Sequence, residues 1–260
     1  MNVAICVATM NLDRLDRFID GIPNEFFGLG GKIIVVITNN YDSSWYSYMN
    51  YLSVNSDVVH TIIAEQMPRL YSSVMKLKVD SCSSLLEEDT CVFMADDDYM
   101  FNKHCFEFAS KIMETYPQVD YLSFTKGPGV IRDEQRVENF LGIDFQRLIS
   151  TLGGAVIARW KTYKKHMEEY FQTYKVTDND PGGAGMYDWH YFDTFLNTKY
   201  NGRKDNVYTI LNPSLMQHCN LISHFMHTRR GPMDHMYAEN FDPLINPLEI
   251  GIIENSYKEA

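Results

Sequence analysis

The hydrophobic positions of the first 125 residues alternate between two periods. Asn2–Ala8 and Lys32–Thr38 are short, nearly unbroken aliphatic runs, and Val58–Ala64 and Thr90–Ala95 share that character. Runs of this length, rich in Val and Ile, predict strands buried on both faces, as in a parallel sheet. Between them the spacing becomes helical. Leu12, Leu15, Phe18, Ile19 and Ile22 share one face over Leu12–Ile22, and Val74, Leu77, Cys82 and Leu85 do so over Leu70–Leu86. A helix over Lys103–Tyr116 and a strand over Val119–Phe124 complete the series. Strands separated by helices predict a doubly wound α/β sheet with right-handed crossovers.

After Thr125 the pattern loosens. Lys126-Gly127-Pro128-Gly129 predicts a loop, and the charged stretch Arg132–Asn139 predicts an exposed segment. A short strand is expected at Ala155–Ala158, a helix near Lys161–Phe171, and another strand at Val207–Leu211. The run Asp178-Asn179-Asp180-Pro181-Gly182-Gly183-Ala184-Gly185 predicts a loop leading into a helix from about Tyr187. The tail beyond Phe241, with its proline-associated turns, is expected to wrap over the rest of the chain. The expected organisation is one domain with a βα half at 1–125, a second half at 126–240 and a tail at 241–260.

Composition narrows the class. No apolar run approaches the roughly 18 to 20 residues that would span a bilayer, and the start lacks the basic flank of a secretory leader. Five cysteines with no CxxC pair predict free thiols in a reducing, cytoplasmic compartment. A net charge of −11 argues against uniform attraction to nucleic acid. The charge is uneven, however. From Lys199 to Met236, five basic residues (Lys199, Arg203, Lys204, Arg229, Arg230) face two acids (Asp205, Asp234), a local +3 that leaves −14 on the remainder. A basic patch in an acidic chain points to an anionic ligand held in one place.

The most informative cluster is Val92-Phe93-Met94-Ala95-Asp96-Asp97-Asp98-Tyr99, a hydrophobic strand that ends in three carboxylates. Ligands of open parallel sheets bind at the carboxyl ends of strands. Carboxylates at 96 and 98 share a direction in an extended turn, so they are expected to share a divalent ion that also touches phosphate oxygens. A helix-capping acidic turn is the plainer reading, although one acid suffices for a cap.

A hydrophobic strand running into Asp-x-Asp inside an N-terminal βαβ half resembles the GT-A family of nucleotide-sugar-dependent glycosyltransferases. The resemblance implies a GT-A fold, with a Rossmann-like, mostly parallel central sheet flanked by helices and a smaller acceptor-side half. It places Asp96 near the ribose and the metal shell and makes Asp98 a direct ligand of Mn²⁺ or Mg²⁺. Later segments follow in the family's order. Gly153-Gly154, before Ala155–Arg159, resembles the small-residue strand that lets backbone approach the donor sugar. Gly185-Met186-Tyr187-Asp188-Trp189 opens a helix where inverting members carry the general base, which makes Asp188 the candidate and Asp193 its runner-up.

The segment Pro213-Ser214-Leu215-Met216-Gln217-His218-Cys219-Asn220-Leu221-Ile222-Ser223 resembles the late Pro-Ser-Leu-x-Gln-His-x-Gly-x-x-Ser motif, whose histidine completes the metal site. His218 matches that ligand, and Asn220 stands where the family usually has glycine. Arg229 and Arg230 are expected to pair with the donor phosphates. Thr9, Asn11, Asn39, Asn40, Asp42 and Arg69 lie at or near predicted strand ends and helix starts where nucleotide contacts belong.

The implied reaction moves a sugar from a nucleoside-diphosphate sugar, foremost a UDP-sugar, to an acceptor hydroxyl with inversion. The acceptor stays open between a glycan, a lipid-linked sugar, a protein side chain or a small molecule and, as a more pointed alternative, a hydroxymethylated base in phage-type DNA. A sugar-nucleotide nucleotidyltransferase would place a Gly-rich loop after the first strand, and Thr9-Met10-Asn11-Leu12-Asp13 has no glycine. A dehydrogenase is disfavoured because no G-x-G-x-x-G follows a strand. A noncatalytic carbohydrate- or protein-binding module on the same fold is the rival from a different class.

Overall fold

The structure, a computed structural model, describes residues 1–9, 12–38, 50, 59–63, 71–125, 132–148, 156–174, 207–211, 213–218 and 240–249. The first wing of the molecule is built from β1 (Val3–Thr9), α1 (Leu12–Asp20), α2 (Asn24–Gly28), β2 (Lys32–Ile37), β3 (Val59–Ile63), α3 (Tyr71–Leu85) and β4 (Cys91–Asp96). Then follow β5 (Tyr99–Phe101), α4 (Cys105–Thr115), β6 (Tyr121–Ser123), β7 (Arg132–Phe140), β8 (Ile143–Leu148), β9 (Val156–Arg159), α5 (Trp160–Tyr174), β10 (Val207–Ile210) and β11 (Met216–His218).

Nine strands form one sheet in the order β3-β2-β1-β4-β9-β6-β10-β8-β7. The neighbours from β3 to β4 are all parallel. Following the pairings outward, β6, β7 and β10 share that direction and only β8 and β9 oppose it. The expected mostly parallel α/β sheet is therefore present.

Strand periodicity sorts the side chains of the first wing into two cores. Val3, Ile5 and Val7 of β1, with Ile33, Val35, Ile37 and Phe93, pack against Leu15, Phe18, Phe26, Phe106 and Phe108. Ala4 and Cys6, with Ile34, Val36, Val92 and Met94, face Met75, Val79 and Cys82 of α3 and Trp160, Met167 and Tyr170 of α5. Continuous aliphatic runs are what a sheet covered on both faces requires. Cys6, Cys82, Cys91 and Cys105 are free and buried among these side chains, in keeping with the expectation of unpaired thiols.

The expected helices and strands of the first wing lie within a residue or two of their predicted bounds. Three elements differ from expectation. Arg132–Asn139, expected only as an exposed charged segment, lies in β7, which pairs with β8 through a hairpin turned at Leu141 (φ 53°) and Gly142 (φ 86°). Its charges hide a strand because β7 ends the sheet order and Val137, Glu138 and Asn139 are exposed. The chain directly after the acidic run forms β5, and α4 starts only at Cys105. Met216–His218 forms β11, which pairs antiparallel with β5 in a separate two-stranded ribbon. Among the described residues, no helix is long and apolar enough to cross a membrane.

Candidate active site

Parallel pairing brings the carboxyl ends of β1, β2, β3 and β4 to one edge of the sheet. Ala8 stands opposite Asp96, so Thr9 and the acidic run emerge side by side. Thr38, just past β2, joins them: its amide and its hydroxyl both donate to the Thr9 carbonyl, at 3.0 and 3.2 Å. Because β9 opposes β4, its first residue, Val156, lies toward the same edge.

The three carboxylates have different surroundings. Asp96 is the outermost, with its side chain 37% exposed, and it meets Lys78 Nζ at 3.3 Å. Lys78 projects from α3 and is itself fully buried, an arrangement that needs a partner carboxylate near its ammonium. Asp97 is buried; the Thr9 hydroxyl donates to its Oδ2 at 2.7 Å and Arg14 Nη2 approaches its Oδ1 at 2.6 Å. The same guanidinium nitrogen reaches Asp98 Oδ2 at 3.3 Å, so Arg14 of α1 bridges two consecutive carboxylates.

Burial dominates the acidity of the inner pair. It raises Asp97 despite the Thr9 hydrogen bond and the Arg14 charge. It pushes Asp98 up to about 7, with Asp96 adding to the rise and Arg14 opposing it. A carboxyl raised in this way gains when further positive charge arrives beside it.

The ribbon carries the late histidine to this place. In the register of β5 and β11, Phe101 faces Met216, Met100 faces Gln217 and Tyr99 faces His218. The main chain of His218 therefore stands opposite the residue that follows Asp98. Its imidazole lies outside the described side chains, and among the described residues no group of three His, Cys, Asp or Glu side chains forms a ready metal cage. The donor set nevertheless fits Mn²⁺ or Mg²⁺: hard carboxylate oxygens, one of them half exposed, with a histidine segment adjacent.

Of the residues singled out from sequence, the structure brings together Thr9, Asp96 and Asp98 as side chains and His218 as main chain. Asn11, Asn39, Asn40, Asp42, Arg69, Gly153, Gly154, Asp188, Asp193, Arg229 and Arg230 lie outside the described residues. Sequence reasoning missed Arg14 and Lys78. Lys78 left a signal, a cation set among Val74, Met75, Val79 and Cys82 on the buried stripe of α3. Arg14 left none, since one arginine in a short charged helix is ordinary.

No family model and no curated protein matches this sequence. Solved structures do. Residues 1–349 of S. aureus TarS in complex with UDP-GlcNAc align with a TM-score of 0.54 at 15% identity, over 90% of this chain and 63% of that one. GalNAc-T7 with UDP, GalNAc and Mn²⁺ aligns with a TM-score of 0.53 at 8% identity, over 81% of this chain and 42% of that one. This is the GT-A fold. The GT-A chain spans less than two thirds of either neighbour's length, and at such identities the likeness concerns architecture alone. Within the GT-A architecture, the acidic run after β4 stands at the strand-end edge where open α/β sheets bind their ligands.

Proposed function

We propose that this GT-A chain is a glycosyltransferase that moves a sugar from a UDP-sugar to an acceptor hydroxyl with assistance from Mn²⁺ or Mg²⁺. One observation carries the reading: the acidic run leaves a buried strand at the common edge, with the main chain of His218 in register beside it. The neighbours solved with UDP-GlcNAc and with UDP, GalNAc and Mn²⁺ support the choice of donor and ion.

In this reading Asp98 and His218 would hold the cation, with Asp96 contributing to the metal shell and the ribose contact. A cation so bound neutralises the charge that develops on the departing diphosphate. Lys78 and Arg14 hold the carboxylates in place and limit their mutual repulsion. Thr9, Asn11, Asn39, Asn40, Asp42 and Arg69 contact the nucleotide, while Gly153 and Gly154 leave room for the donor sugar. Arg229 and Arg230 pair with phosphate oxygens. Asp188, with Asp193 as the alternative, accepts the proton of the acceptor hydroxyl as its oxygen attacks the anomeric carbon, and the configuration inverts.

The acceptor is a glycan or a hydroxymethylated DNA base. The net charge of −11 favours the glycan, whereas the basic stretch from Lys199 to Met236 suits a nucleic-acid backbone. A screen of labelled UDP-sugars against both acceptor classes, with Mn²⁺ and with a chelator, tests the proposal. Transfer that a chelator abolishes is expected. Chelator-resistant transfer removes the metal, full activity in Asp188→Asn removes that base, and absence of both transfer and donor hydrolysis removes the enzyme. Duplex retardation that weakens with salt selects the DNA acceptor.

A further inference from the structure

The ribbon that carries His218 is too small to hold itself. Each of its strands has three residues, and an isolated two-stranded pair is marginal in water even at greater length. Yet it sets the spacing between the main chains at positions 98 and 218.

The residue at its base is Asn102, a fully buried amide. Its backbone N–H donates to the Leu215 carbonyl at 2.8 Å, which ties the exit of β5 to the approach of β11. Its side-chain Nδ2 donates twice to the C-terminal segment, to the carbonyls of Asp242 at 2.6 Å and Ile245 at 3.0 Å. Its Oδ1 accepts from the His104 amide at 2.7 Å, at the start of α4.

The C-terminal segment is shaped to receive it. Asp242 Oδ1 accepts from the amides of Leu244 and Ile245, bending the chain so that both carbonyls face one point. Lys103 N–H donates to the Pro243 carbonyl at 2.9 Å, Ser214 bridges Phe241, and Ile245 and Leu248 pack on the core. The exit of β5, the approach to β11 and the C-terminal segment thus meet at one residue.

We propose that Asn102 is a positioning residue: through it the segment 240–249 acts as a clasp that keeps β5 and β11 in register and so sets the metal-binding geometry of Asp98 and His218. The functional meaning of the clasp rests on the glycosyltransferase reading; its mechanical role does not. Asn102→Asp keeps the size and the acceptor toward His104 but removes both donors. Asp242→Ala, at an exposed position, loosens the bend without touching the core.

Amide hydrogen exchange on the full chain reads the mechanical part. Both variants are expected to lose protection at residues 99–101 and 216–218 by about tenfold, with β1 and β2 unchanged. Titration with Mn²⁺ in the presence of UDP, followed by the EPR signal of free Mn²⁺, reads the functional part, with affinity expected to fall about tenfold. Unchanged protection in both variants overturns the clasp. Lost protection with wild-type Mn²⁺–UDP affinity overturns the positioning role. A wild-type chain that binds no Mn²⁺ with UDP overturns the glycosyltransferase reading, while lost protection in the variants would still establish the clasp as a mechanical element.

Discussion

The two wings of the sheet are built on different rules. From β3 to β4 every neighbour is parallel, the strands are largely apolar, and helices cover both faces. From β9 to β7 the pairings are mostly antiparallel, and apart from the β7–β8 hairpin neighbouring strands come from far apart in sequence. The first wing delivers Thr9 and the acidic run to the site, because parallel strands end together. The second wing buries its inner residues against α4 and leaves part of β7 to solvent. The proposed chemistry thus sits where topology forces strand ends to coincide, and the other wing braces the sheet.

Truncating one aromatic side chain in each wing tests that division most severely. Phe93 is fully buried in β4 and meets Tyr99 and Phe101 edge-on at 5.5 and 5.6 Å. Phe140, at the end of β7, packs against Tyr116, Phe145 and Tyr208. Alanine at either position is expected to cost about 3–5 kcal/mol in denaturant unfolding. Only Phe93→Ala is expected also to weaken UDP binding measured well below its Tm, because its cavity opens under the acidic run. Equal loss of UDP affinity in the two variants would erase the distinction between the wings.

Next in size is Asp98→Asn. In the proposed reading Asp98 is a ligand of the cation that faces the departing diphosphate, and its loss is expected to lower transfer by about 10²–10³-fold. Stability should move the opposite way. The folded Asp98 carboxyl titrates at about 7 against an ordinary 3.8, so the folded state binds more protons between those values. Its contribution to stability is therefore intact below pH 4 and is lost as pH rises toward 7. Without added metal, the Asn variant should melt about 2–4 °C higher at pH 8 and match wild type near pH 4. A difference in Tm that does not grow with pH would show that burial does not strain this carboxyl.

Lys78→Met asks whether the buried cation of the first wing serves the site or the core. Met fills the same volume, and Asp96 is exposed enough to take up water once its partner is gone. Stability is expected to change by about 1 kcal/mol or less. Mn²⁺–UDP affinity is expected to fall about tenfold, as when an outer partner of a ligating carboxylate is removed. A large drop in Tm with unchanged affinity would assign Lys78 to the core instead.

The same contrast explains what could be read from the chain alone. In the first wing most strands and helices announce themselves locally, through runs such as Ile33 to Ile37 and the spacing of Leu15 and Phe18, and β1, β2 and β3 lie side by side in chain order. The acids of the candidate site stood out in the sequence because three of them follow one such run. Arg14 did not, since its role comes from the turn of α1 toward β4 and not from its neighbours in sequence. In the second wing β7 carries Arg132, Asp133, Glu134 and Arg136, and such a strand is defined by its partner β8. The ribbon of β5 and β11 joins positions over 100 residues apart, a pairing that no local pattern reports.

The smallest effect is expected at the tip of that second-wing hairpin. Phe140 pairs with Ile143, leaving Leu141 and Gly142 as a two-residue turn with φ of 53° and 86°. Positive φ at both central positions matches the right-handed twist of the flanking strands, and the second of them is where glycine is favoured. The turn is held by Asn139 Oδ1, which accepts from the Gly142 amide at 3.0 Å, and by the Tyr116 hydroxyl, which accepts from the Leu141 amide at 3.3 Å. Gly142→Ala keeps both hydrogen bonds but places a Cβ on a left-handed residue, at an expected cost of about 1 kcal/mol. The strain belongs to the outermost strand pair of the sheet, so Mn²⁺–UDP affinity and transfer rate should equal those of wild type. A Gly142→Ala chain that is slightly less stable yet fully active would separate brace from site, whereas one that loses donor affinity would mean that the two wings are mechanically coupled.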